Sequence, residues 1–131
     1  MVEFSIAASV LLFVLLAIME FGQAMFVYNL VTNDARIGAR YAIVRGSMCT
    51  FTGCPATSPS IQTYVQSISA NVDTSQLAVT TTWPGTPGGS CTTTTNAPGC
   101  LVVVSVSYPI QSFGPFHAMS ISSQSQMYIS R

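Results

Sequence analysis

The chain changes its hydrophobic pattern twice. From Phe4 to Met19 almost every position is apolar and none is charged, with Ser5 and Ser9 as the only interruptions. A helix built from this run has no polar face, so it must be covered all round, by lipid or by other helices. Beyond Met25 the pattern becomes periodic. Phe26, Leu30, Ile37 and Tyr41 recur at helical spacing with Val27, Val31 and Val44 beside them, while Asn29, Thr32, Asn33, Arg36 and Arg40 fall on the opposite side. No proline interrupts either stretch. One helix is therefore predicted from about Val2 to about Arg45, with Gly46 as its stop. At the α-helical rise it is about 65 Å long, more than a small domain can bury. Residues 1–46 thus divide into an apolar half, 1–25, and an amphipathic half, 26–46, which lies on a head formed by residues 47–131.

The head has a second pattern. Ser47 to Thr57 reads as a loop. Ser58-Pro59 signals a helix start, with Ser58 as cap, and Ile61, Tyr64, Val65, Ile68 and Val72 carry the helix to about Val72. Leu77, Val79, Thr81 and Trp83 alternate as a strand does. Pro84 to Gly99 is a Pro-, Gly- and Thr-rich loop. Leu101 to Tyr108 is the clearest strand, with Pro109 as its expected end. Phe113 to His117 forms a turn, and a last strand or pair of strands covers Ala118 to Ile129. The predicted class is α+β: a small antiparallel sheet with one short helix, packed on the long helix.

Composition narrows the functions. Charged residues make up 6% of the chain, against about 25% in an average soluble domain. Lysine is absent, the arginines are Arg36, Arg40, Arg45 and Arg131, and the acids are Glu3, Glu20, Asp34 and Asp73. A net charge of zero leaves no basic footprint for nucleic acid and favours association over colloidal solubility. Cys49, Cys54, Cys91 and Cys100 all lie in the head. An even number confined to one region points to two disulfides and an oxidising compartment. The spacings favour two local loops, Cys49 to Cys54 and Cys91 to Cys100. The rival, a zinc site, fits less well, because the second spacing falls outside the usual ligand window.

Candidate chemistry is sparse. Glu3 stands at the mouth of an apolar helix, where a carboxylate usually has a partner. An α-amino group of a displaced neighbour is one candidate; placement in the headgroup region beside the positive helix end is the other. Glu20 is a second candidate for a pair between chains or, alternatively, a solvated residue just past the lipid. Arg36 and Arg40 are expected to reach head carbonyls or Asp73. Gly22 and Gly38 cost helix stability relative to alanine, with close packing or local underwinding as reasons. His117 is the only histidine, and no catalytic triad, metal set or cofactor site has enough members. The reading is therefore of a non-enzyme without a cofactor. A secretory signal peptide is disfavoured, since the start is acidic and the helical pattern continues past Glu20.

Met1-Val2-Glu3-Phe4 with the apolar run, Met19-Glu20-Phe21-Gly22-Gln23-Ala24, and Thr32-Asn33-Asp34-Ala35-Arg36-Ile37-Gly38-Ala39-Arg40-Tyr41-Ala42 together resemble the TadE-like pilins, the tight-adherence branch of the type IV pilin superfamily. Over the head, only a Val-rich strand ending in Tyr108-Pro109 follows the family pattern. The resemblance implies a pilin-like fold and a precursor held in the inner membrane. A prepilin peptidase would cut it, and the pilus machinery would assemble it into a homo-oligomeric helical filament on the cell surface. Glu3 would match the family's N-terminal glutamate, although pilin glutamates usually stand fifth after the cut. A basic leader with its cleavage-site glycine does not precede Met1, which suits a mature chain. Glu3, Phe4, Leu12, Leu16 and Glu20 would then lie between subunits. The alternatives are a minor pilin that initiates or caps such a pilus, and a monomeric membrane-anchored binding domain.

Overall fold

The computed structural model describes residues 2–69, 72–85, 91, 96–110 and 119–130. Its first element, α1, runs unbroken over Val2–Val44. Leu, Ala, Met and Phe dominate its first half, and the whole stretch lacks proline, so local propensity and pattern agree. The helix leaves through a tightened turn, with Arg45 N–H donating to the Ala42 carbonyl at 3.3 Å.

The second helix, α2, covers Ser58–Ile68. Thr57, one residue earlier than expected, caps it: Thr57 Oγ1 accepts from Ser60 N–H and Ser60 Oγ accepts from Thr57 N–H, a reciprocal capping box. It ends at Ile68, short of Val72, because Ser69 turns into extended backbone and its hydroxyl is engaged by Asp34 and by the Val65 carbonyl.

Three strands form one antiparallel sheet in the order β1-β2-β3: β1 Ala78–Thr82, β2 Leu101–Ile110 and β3 Met119–Tyr128. Pro109 does not end β2 but pairs with Ser120 inside it. Strand β1 reaches only from Val103 to Ser107, so at Pro109 the central strand has a partner on one side only, and a missing N–H is tolerated there. The residues expected to form the 113–117 turn, with His117, and the threonine run 92–95 lie outside the described residues.

The core lies between the sheet and the second half of α1. Val102, Val104 and Val106 point inward from β2, Val79 and Thr81 from β1, and Ile61 and Val65 from α2. The helix meets them with Val27, Val31, Ala35, Gly38, Ala39 and Ala42. This face differs from the one the large residues outlined. Phe26 and Val44 are exposed, and Leu30, Ile37 and Tyr41 only flank the contact. Close approach explains the shift. A Cβ on Gly38 would lie 3.0 Å from Val65 Cγ2 and 3.1 Å from Val104 Cγ1, so only small residues fit along the seam. Gly22, by contrast, has nothing within 4 Å of where its Cβ would stand.

Candidate functional site

The first half of α1 stands free of the head. None of its most apolar window is buried, and Phe4, Leu12, Leu16 and Phe21 all project from the rod. Such a continuous array of large apolar side chains is far beyond the scattered exposure normal for a soluble surface. By length and composition the helix can cross a membrane. Glu3 is exposed near the tip and Glu20 is half-buried where the rod meets the head. They are about 25 Å apart along the axis, so the two acids form separate sites.

The junction of rod and head holds a groove of about 690 Å³. Met19, Gly22, Gln23 and Phe26 of α1 form one wall, and Tyr108, Pro109 and Ile110 of β2 form another. The bare Gly22 backbone contributes to its width, since no side chain fills that turn of the helix.

At the opposite end the chain leaves α1 into a disulfide-closed loop. Cys49 bonds to Cys54, and Cys91 to Cys100, the local pairing favoured by the spacing. The first loop is tied down by Ala56 N–H to the Arg45 carbonyl and Ser47 N–H to the Asn96 carbonyl, both at 2.8 Å, and by Asn96 Nδ2 to the Ala56 carbonyl at 2.6 Å. Met48 and Phe51 nevertheless point outward, 75% and 62% exposed.

The arginines do not do what their spacing suggested. Arg36 and Arg40 are exposed, and neither has a hydrogen bond or ion pair among the described residues. Asp73 instead organises its own turn, accepting from Ser75 N–H at 3.0 Å and from Ser75 Oγ at 2.6 Å, which holds its carboxyl below the usual range. Solvation outcompetes a long-range pair for such surface side chains. Arg45 lies 3.9 Å over the Tyr41 ring, which itself stacks on Tyr64 at 4.1 Å.

Asp34 is a polar residue that sequence reasoning missed. It is 4% exposed and sits in the small-residue seam. Burial raises its pKa, opposed by a hydrogen bond from Ser69 Oγ to Asp34 Oδ2 at 2.6 Å. The same hydroxyl lies 2.9 Å from the Val65 carbonyl, yet it has one proton. Its single proton is therefore shared between the Asp34 carboxylate and the Val65 carbonyl. The available signal was position, since Asp34 falls three residues after Val31 and four before Gly38 on the buried face.

A small α+β head carried on the end of a long, apolar-tipped helix is a pilin-like fold. Residues 1–40 match the family model described as TadE-like protein, in agreement with the motifs read from Met1 to Ala42. The match lies within the N-terminal helix, spans less than a third of the 131 residues and does not reach the head. No curated protein and no solved structure matches the chain.

Proposed function

We propose that the chain is a structural subunit of an extracellular tight-adherence-type filament, held in the membrane by its apolar half before assembly and packed through that half against copies of itself afterwards. The observation that carries this reading is the uncovered rod. The described residues leave the apolar first half of this 43-residue helix unburied. Lipid covers such a rod in the precursor, and like rods cover it in a filament. Apolar side chains fare about equally well in both, so the transfer is cheap and packing decides it.

In this reading the chain performs no catalysis. A prepilin peptidase and an assembly machine act on it, and Glu3 becomes an interior charge that needs a cation from a neighbour, an amine or a guanidinium. Filaments sheared from cells test the proposal. The chain should be their main protein. Scarcity within filaments assigns it to initiation or capping instead, and retention in the membrane fraction assigns it to an anchored binding domain. Glu3→Gln should keep membrane insertion and lower filament yield sharply, with Glu3→Asp recovering part of it.

A further inference from the structure

The groove and the disulfide loop lie at opposite ends of the head. The groove flanks Gly22 near the base, and the loop follows Val44 at the top, so helical rise separates them by about 33 Å. One end presents an apolar hollow, and the other presents Met48 and Phe51 on a loop fixed by a disulfide and by hydrogen bonds to Arg45 and Asn96. The charges repeat the same interval. Glu20, half-buried, follows Met19 of the groove wall in the helix, and Arg40, exposed and with no ion pair among the described residues, stands about 30 Å further along it. Arg36 is one turn below it.

Building on the filament reading, we propose that copies about 30 Å apart along the filament meet head to tail, with the Met48–Phe51 knob of one seated in the Gly22 groove of the other and Glu20 of that upper copy facing Arg40 of the first, while copies at intermediate heights pack rod against rod. A single axial shift of about 30 Å satisfies both contacts at once. The occupant is a second copy of this chain because an apolar knob, a largely apolar hollow and a pair of opposite charges occur on the same molecule at similar axial spacing. The two surfaces differ, so the contact is heterologous, and it propagates as an open helix rather than closing as a dimer. The apolar knob supplies contact area. The ion pair limits the register to the turns that carry Arg40 or Arg36, and the knob in its groove selects the first. The same shift lays the rod of the upper copy alongside the exposed face of the lower copy's α1, where Phe26, Tyr28 and Asn29 are uncovered.

Charge reversal in cells that make the filament tests this register. Glu20→Arg and Arg40→Glu each place like charges in contact and should cut the yield of sheared filaments by about tenfold or more, while the double exchange restores it. Both side chains lie outside the core, so the head folds in every variant. As a second readout, Gln23→Cys combined with Met48→Cys in one chain should give a ladder of covalent oligomers when wild-type-like filaments are oxidised, and neither single variant should. Single reversals that assemble as well as wild type, a double exchange as poor as either single, or no ladder would each overturn the register. The filament reading fails in a different way, by the wild-type chain being absent from sheared filaments.

Discussion

Both halves of α1 present apolar side chains, yet these differ in size and in fate. Residues 27–42 bury valine, alanine and glycine against the sheet, while residues 4–21 expose Phe, Leu, Ile and Met on every side. Small residues let a helix approach its own domain closely, as Gly38 does between Val65 and Val104. Large ones give deep, adaptable contacts to partners that are not in the chain. Hydrophobicity alone does not separate these roles; size and the presence of a covering element do.

The comparison is broken most severely by a charge in the free half. Leu16→Glu, or Leu12→Glu, should abolish filaments, because a charge at the centre of an apolar helix costs roughly 3 kcal/mol even on the most lenient scale and is repeated in every subunit. Circular dichroism of the full chain in detergent should show the head unchanged. Normal filaments from either variant would count against the rod as the assembly element.

The same small change in the two halves should have opposite consequences. Gly38→Ala forces a methyl against Val65 and Val104, both fully buried and stiff about χ1. Overpacking costs about 1–3 kcal/mol, which exceeds the gain in helix propensity, so the melting temperature should fall. Gly22→Ala meets nothing and gains about 1 kcal/mol of propensity, so in the unassembled chain it should leave the melting temperature level or raise it. A destabilised Gly22→Ala chain would show that the free half has contacts not seen in the monomer.

The smallest expected effect concerns Asp34, the one acid buried in the head-packed half. Among the described residues no cation faces it: Arg36 and Arg40 point to solvent, Arg45 sits on Tyr41, and α2, β1 and β2 contribute only Tyr64 and Tyr108 as titratable groups. Because its folded pKa is raised, the folded state holds the proton more tightly than the unfolded state. Stability therefore falls as pH rises from the unfolded value through the folded one, and stays at the lower level above it. Asp73, whose carboxyl is held low, acts in the opposite sense and loses its contribution as pH falls. Thermal melts of the full chain in detergent should show Asp34→Asn flattening the decline with rising pH while leaving the Asp73 contribution in place. An unchanged pH profile would mean that folding does not shift the Asp34 carboxyl.

Much of this architecture was legible in the residues. The proline-free apolar stretch gave α1 to within a residue of its end, and the Val-rich alternation gave β2, because both signals are local and strong. The buried face of α1 was read too far toward Phe26 and Tyr41. Size marks a seam only when the opposing surface is known, and that surface comes from α2 and β2, distant in sequence. Pro109 reads as a strand end because local chemistry does not show that β1 stops short of it. Asp34 was hidden for a related reason: its partner, Ser69, lies 35 residues away. The end of α2 at Ile68 depends on that same pair.

The most direct test of the central claim is a cryo-EM reconstruction of sheared filaments at side-chain resolution. The account predicts that residues 4–21 of this chain lie at the filament axis, with Leu12 and Leu16 in contact with the same segment of neighbouring copies and Glu3 beside a cation of an adjacent subunit. Filaments in which those residues face water, or whose axis is built from a different protein, would contradict it.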